Sequence, residues 1–383
     1  MTVKFIERFF QILGSFGLAC IVLLFLLLLT FLGTLEQVDN SLFEVQKKYF
    51  ESLIVRDTMV IVPLPGVYLL LGLLFVNLIV GGMLRIRWTW SRLGILIIHF
   101  GIATMLLGGL IEFKTSHKGH VTLFEGESAA EFQSYFEWEV TVTESLGNGR
   151  VREHVIPNGR FVDLGARESA RMTSDAIPFD VVLSGFLPNC QPVQARGDGI
   201  GIEGILLEEL PGEEHAEQDI AGVTVTLEGL PDGPESGLLW GVQRAPWVVR
   251  AGGQPWSIDL RRRTWRMPFQ IHLRDFTREL HPGTQTPSKF YSDVTCIQDN
   301  VSQDLQISMN EPLRRDGLTL FQASWGPSNA RPGDRLFSTF AVVDNPADKV
   351  PLIALLIIAA GLLTNFIPRL RRHMVSQSSK VAS

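Results

Sequence analysis

Cysteine is scarce in this 383-residue chain: Cys20, Cys190 and Cys296 are its three, and no Cys-x-x-Cys occurs. That excludes a disulfide framework and a thioredoxin-like redox centre. No glycine-rich phosphate loop and no long basic stripe interleaved with aromatics is present, which speaks against nucleotide hydrolysis and nucleic-acid binding. No internal repeat argues for a propeller or solenoid. Charge is nearly missing from four long runs, and after the first of them, at Gly33-Thr34-Leu35-Glu36-Gln37, there is no small-x-small cleavage site. That run therefore reads as a retained anchor and not as a cleaved signal peptide.

What is present is apolar surface, 46% of residues being hydrophobic, concentrated in runs 14–33, 66–84, 93–111 and 350–367. A helix rises about 1.5 Å per residue, so runs of about 18 to 20 residues can cross a hydrocarbon core of about 30 Å. The pattern predicts an α-helical membrane protein with four transmembrane helices and a large extracytoplasmic β-rich, sandwich-like domain. Its parts are a membrane domain at 1–112, an extracytoplasmic domain at 113–348, and the fourth helix with a short tail at 349–383. Lys4 and Arg8, then Arg85, Arg87 and Arg92, then Arg369, Arg371 and Arg372 all fall on one side of this topology. By the positive-inside rule both termini and the middle loop are cytoplasmic and the large domain is outside. A net charge of −6 says little about partners once these membrane-flanking cations are counted separately.

The third run carries one ionisable residue, His99. An intramembrane imidazole usually faces a partner, a cavity or a ligand, and neutral imidazole is a common ligand of metals, haem iron included. Two readings stand side by side: a hydrogen bond to a neighbouring helix and nothing more, or ligation. Gly94, Gly101 and Gly108 recur every seventh residue and make a stripe roughly opposite His99, where another helix can approach closely. The His99 face has Ile95, Ala103 and Leu106 as neighbours, which leaves space for a flat macrocycle or a partner helix.

Between the first two runs, Leu42, Val45, Tyr49 and Leu53 recur at helical spacing, predicting an amphipathic helix over 42–54. It lies either on the outer membrane surface or beneath the large domain. His117 and His120 could hold a metal but lack further ligands at a recognisable spacing, and read as solvated juxtamembrane residues. Alternating segments near 136–142, 179–183, 222–227, 247–249, 269–273, 294–297, 305–309 and 337–343 predict short strands, hence a sandwich or barrel-like domain. The stretch 196–217, with Gly197, Gly199, Gly201 and Gly204 before Glu208, Glu209, Glu213 and Glu214, predicts a loop or weak hairpin. His215 beside these carboxylates is a weak cation candidate. Pairing of Cys190 with Cys296 is left open by their spacing.

The last third of the large domain is the most informative. Asp275-Phe276-Thr277-Arg278-Glu279, His281-Pro282-Gly283-Thr284, Pro287-Ser288-Lys289-Phe290-Tyr291-Ser292-Asp293-Val294, Met309-Asn310-Glu311-Pro312-Leu313, Gly317 and Phe321-Gln322-Ala323-Ser324-Trp325 follow in order. Together with Gly14-Ser15, Gly33-Thr34-Leu35, His99-Phe100-Gly101 and Asn345-Pro346, this series resembles the ResB, or CcsB, family of System II cytochrome c biogenesis proteins. Residues 145–265 contribute little to the resemblance.

The resemblance implies a subunit of a cytochrome c synthase in a bacterial inner or cytoplasmic membrane. Its partner would be a ResC/CcsA-type membrane protein and its client apocytochrome c with a Cys-x-x-Cys-His segment; thiol-reducing proteins are a further partner class. It implies haem b as the group handled and His99 as its transmembrane axial ligand. The tryptophan-rich haem-handling segment belongs by resemblance to the partner, since Trp88 and Trp90 here lie on the cytoplasmic side. Catalysis would therefore not be autonomous. Asp293, Asn310 and Trp325 are candidate binding or interface residues, with turn capping and core packing as the alternative for those residue types. A scaffold or apocytochrome chaperone without haem is the competing function. A membrane-tethered sensor is disfavoured by the short cytoplasmic segments.

Overall fold

The computed structural model describes residues 2–381 apart from 39, 57–62, 87, 166–167, 196–201, 203, 281–282, 284–286, 328–329 and 332. Arg87, Gly197, Gly199, Gly201, His281, Pro282 and Thr284 thus lie outside the described residues. The chain divides into a helical unit, 1–116 with 345–383, and a β unit, 117–344.

Among the described residues the first unit has six α-helices: α1 (Thr2–Leu13), α2 (Phe16–Glu36), α3 (Leu42–Val45), α4 (Val67–Asn77), α5 (Leu93–Thr115) and α6 (Val350–Val381). Among the described residues, four helical segments, Phe16–Glu36, Val67–Leu84, Trp90–Thr115 and Val350–Arg371, are long and apolar enough to cross a membrane. Two of them are not plain α-helix along their length. α4 continues as a π-helical turn over Leu78–Leu84, and α5 is preceded by a 3-10 turn at Trp90–Arg92. A break at Gly14-Ser15 separates α1 from α2, and Ser15 caps α2 by accepting from the Leu18 N–H.

The glycine stripe of α5 packs on α6. A Cβ at Gly94 would lie 2.7 Å from the Gly361 carbonyl oxygen, and one at Gly101 would lie 2.6 Å from Ile358 and 3.0 Å from the Ala354 oxygen. At Gly108 it would run into Val350. The pairings descend as α5 ascends, so the helices are antiparallel, meeting backbone to backbone at Gly94 and Gly101 and against the Val350 side chain at Gly108. The amphipathic segment is shorter than its spacing suggests. α3 passes into a π-turn at Gln46–Phe50 and ends there, while Leu42 and Leu53 are exposed. Val45 and Tyr49 alone are fully buried, in a cluster with Val22 and Leu29 of α2 and Val67 and Leu70 of α4. Glu36 anchors the segment, accepting from Lys48 and from the Tyr49 hydroxyl, each at 2.5 Å.

The β unit holds an antiparallel ten-stranded sheet, a four-stranded sheet and the hairpin Cys190–Gln194/Ile205–Glu209. Its spine is the strand Gln254–Leu280, paired with Ser128–Gly147 on one side and Pro287–Gln298 on the other. Trp256, Ile258 and Leu260 of the spine face one core, opposite Val181, Leu183, Val223, Val225 and Leu227 of the four-stranded sheet. Met267, Phe269, Ile271 and Leu273 face a second core with Val121, Phe132, Val294, Leu320 and Phe340. Inward residues are even-numbered before Arg262 and odd-numbered from Met267 to Leu273. Register shifts at Arg262/Thr264 and Arg266/Ile271 make that switch.

The second core is enclosed by strands of the large sheet alone, so the sheet curls over itself. Ser292, on one arm, donates to Gln322 at 2.7 Å and meets Ser338 at 2.9 Å on the other, all three being buried. Arg262 takes the turn between the two cores: its guanidinium lies 4.1 Å from the Trp138 ring centre and donates to the carbonyls of Tyr135, Glu217 and Asp219. Cys190 and Cys296 are buried free thiols, the latter in the second core.

Because Gly101 abuts α6 whereas Gly109 has nothing within 4 Å, Gly101→Val should lower the melting temperature of the detergent-solubilised chain by several degrees. Gly109→Val, measured in the same fluorescence melt, should leave it within about a degree, since surface changes shift stability by less than about 0.5 kcal/mol.

Candidate functional site

His99 sits two turns into α5, half-buried, with its Nδ1 2.7 Å from the carbonyl oxygen of Ile95 one turn back. A carbonyl can only accept, so Nδ1 carries the proton and donates. The other nitrogen, Nε2, is then the lone-pair nitrogen, and among the described residues it makes no hydrogen bond. This is the tautomer that metal-ligating histidines adopt, one nitrogen tied to a carbonyl and the other free to bind.

The neighbour that receives the ring is the π-turn of α4. A Cβ at Gly82 would fall 2.5 Å from Cδ2 of His99 and 3.0 Å from both Cγ and Nε2. The adjacent Gly81 meets the α1–α2 break instead: its Cβ would lie 2.5 Å from the Gly14 carbonyl oxygen. Asn77, buried one turn earlier, donates to the Leu13 and Ser15 carbonyls at 2.6 and 2.9 Å and satisfies the backbone that this break exposes. π-Turns recur at functional positions in helices, and here one carries two successive backbone contacts on a single turn.

Among the described residues there is no group of three or more histidine, cysteine or carboxylate side chains able to hold a metal ion. Those residues thus bring together no all-protein ligand set for a metal. Haem fits, because the macrocycle brings four equatorial nitrogens and asks the protein for axial ligands only. His99 supplies one donor in the required tautomer.

The β-unit candidates are dispersed by role. Asp293 lies on Pro287–Gln298 opposite Asp275 and accepts from Gln306 on the next strand at 3.0 Å. Asn310 is exposed in the turn that joins Val301–Ser308 to Leu313–Arg315. Trp325 stacks on Phe276, ring centres 5.7 Å apart, and Arg278 lies 4.8 Å over its ring. Asp293 and Asn310 thus occupy sheet and turn positions, and Trp325 belongs to an aromatic and cationic cluster on the spine.

His117 and His120 point to opposite faces of the strand His117–Phe124, as the twofold alternation of a strand requires. His117 lies 3.5 Å from Asp344 and against Trp265, and His120 stacks on Tyr135 at 4.9 Å. Sequence spacing gave no sign of this separation. Nor did it reveal the arginine run 261–266 as strand, where Arg261 bridges Glu139 and Glu153 and Arg263 pairs with Glu137. Arg261, Glu139, Glu153 and Arg263 line a surface cleft of about 510 Å³ with Glu131, Trp265 and Arg266. Its three arginines are already neutralised by their own strand neighbours, Arg266 by Glu131.

Burial holds the His120 pKa below its ordinary 6.5, with the Arg262 charge acting the same way and Glu217 partly opposing. The unfolded chain therefore takes up this proton first on acidification, so the stability at stake is full above pH 6.5 and declines as pH falls below it. Melting of the β unit between pH 8 and pH 5, followed by tryptophan fluorescence in the full chain, should show that decline, and His120→Gln should flatten it.

No curated protein matches the chain. Residues 236–334, which run from the strand Glu235–Trp240 to beyond the end of Leu318–Gly326 and contain the Asp293, Asn310 and Trp325 positions, match the family model ResB, the ResB-like family, so the resemblance to ResB proteins holds in this part of the β unit.

Proposed function

We propose that this chain is the ResB-type membrane subunit of a System II cytochrome c synthase, acting with a ResC/CcsA-type partner to pass haem to the outside for covalent attachment to apocytochrome c. The single observation that carries the haem-handling part is the His99 tautomer, with Nδ1 donating to the Ile95 carbonyl and Nε2 left as a donor to iron. The ResB-like match over 236–334 supports the pathway.

In this reading both termini are cytoplasmic and the β unit lies outside, following the cations Lys4, Arg8, Arg85, Arg87, Arg92, Arg369, Arg371 and Arg372. His99, about 9 Å along α5 from Leu93, then lies in the cytoplasmic half of the bilayer. Haem, when bound, would supply the iron, and a histidine of this chain would hold it. His99 would be that histidine, through Nε2, whose lone pair the Nδ1–Ile95 hydrogen bond leaves free. The second ligand comes from the partner. The β unit presents apocytochrome where haem is released, and the two thiols that form the thioether bonds belong to that client. Cys190 and Cys296, buried in this chain, take no part in the attachment.

The test is the reduced-minus-oxidised haem spectrum of the full chain co-purified with its ResC-like partner, wild type against His99→Ala at equal yield. The expected outcome is loss or a shift of the haem bands in the variant, restored by added imidazole. An unchanged spectrum would remove His99 from the ligand set and leave the chain a scaffold or apocytochrome chaperone.

A further inference from the structure

We infer that Gly82, on the π-turn of α4, is the positioning residue that fixes the plane of the His99 imidazole. The premise rests on contact geometry alone, and its consequence for iron binding rests on the proposed function. A Cβ built on Gly82 is nearest to Cδ2, at 2.5 Å, and equidistant at 3.0 Å from the two ring atoms that flank it, Cγ and Nε2. Such a symmetric, close approach places it against the face of the ring and not off its rim. The Nε2 lone pair lies in the ring plane, so the Gly82 backbone can brace the face without covering the direction along which a ligand would bind.

Two constraints then define the imidazole. The Ile95 carbonyl holds Nδ1 in the plane, and the Gly82 backbone bears on the face. A methyl group at 82 cannot share this space, because contacts below 3.0 Å force something to move. The opposing element offers little room to yield. Gly81, next in the same turn, is pressed against Gly14, and Asn77 is bonded across to Leu13 and Ser15. The ring would therefore rotate, and the Nδ1–Ile95 bond, which selects the tautomer, would be lost with it. Groups that orient a metal-ligating histidine change metal affinity by about 10- to 100-fold when altered.

The experiment uses the full chain in detergent or nanodiscs, labelled with 15N-histidine, with the His99 signals assigned by their loss in His99→Gln. Wild type should show one tautomer with the proton on Nδ1. Gly82→Ala should show mixed tautomers or exchange broadening and an affinity for added haemin about tenfold weaker or more, while Gly72→Ala, whose methyl meets nothing within 4 Å, should match wild type in both. His99 signals in Gly82→Ala that overlay those of wild type would overturn the inference. If Gly82→Ala assembles poorly, the double variant Gly82→Ala/His99→Ala should recover the yield because the clash is with the imidazole; failure to recover would place the clash elsewhere and reject the role. A haemin affinity that ignores His99→Ala while the tautomer still responds to Gly82→Ala would refute the haem reading and leave the positioning role standing.

Discussion

Backbone-to-backbone contact at glycine is the constraint on which the helical unit depends. In lipid there is no hydrophobic drive to press one apolar helix on another, so helices associate where small residues let them approach and dispersion contacts accumulate. α5 has such a face against α6 at Gly94, Gly101 and Gly108, and α4 has a second at Gly81 and Gly82, facing Gly14 and His99. His99 thereby lies on the side of α5 turned away from α6, against a backbone rather than a side chain. The apolar residues around these contacts, many of them exposed in α2 and α6, fill the width of the helices without specifying their partners.

The β unit solves a different problem with a different device. One strand of 27 residues, Gln254–Leu280, serves two cores, and it must turn its buried face over between them. A side chain at the turning point belongs wholly to neither core. Arg262 occupies that point, over the Trp138 ring and donating to three carbonyls, so the change of face is made by a charged group with three of its five N–H donors tied to backbone. Farther along, the curled sheet meets itself through Ser292, Gln322 and Ser338, a buried polar link that fixes which arms of the sheet come together.

What could be read from the sequence follows this division. The four apolar runs and the glycine stripe are local, periodic signals, and close approach of another helix on that face of α5 follows from a spacing of seven, although which helix comes there, α6, does not. Strands at 222–228 and 337–344 announce themselves by alternation. The strand through 261–266 does not, because its outward arginines are balanced by glutamates more than a hundred residues away, such as Glu139 and Glu137. The amphipathic spacing of 42–54 overran the true end at Phe50, where a π-turn changes the period. Gly82 was invisible as a partner of His99 for the same reason: its significance lies in a contact between helices, and a glycine in an apolar run carries no mark of what it faces.

The first and last strands of the β unit, His117–Phe124 and Phe337–Asp344, lie side by side with His117 opposite Asp344. During synthesis the sheet therefore has an open gap between His117–Phe124 and Leu318–Gly326 until the residues after 336 emerge, since Phe337–Asp344 fills that place. The same short stretch is followed within six residues by the start of α6. Closure of the sheet edge and delivery of the helix that completes the α5 stripe are thus late and nearly simultaneous events in the life of the chain. A chain stopped before residue 337 would carry both an unpaired strand edge, which templates wrong pairing with other chains, and an α5 face without its partner helix.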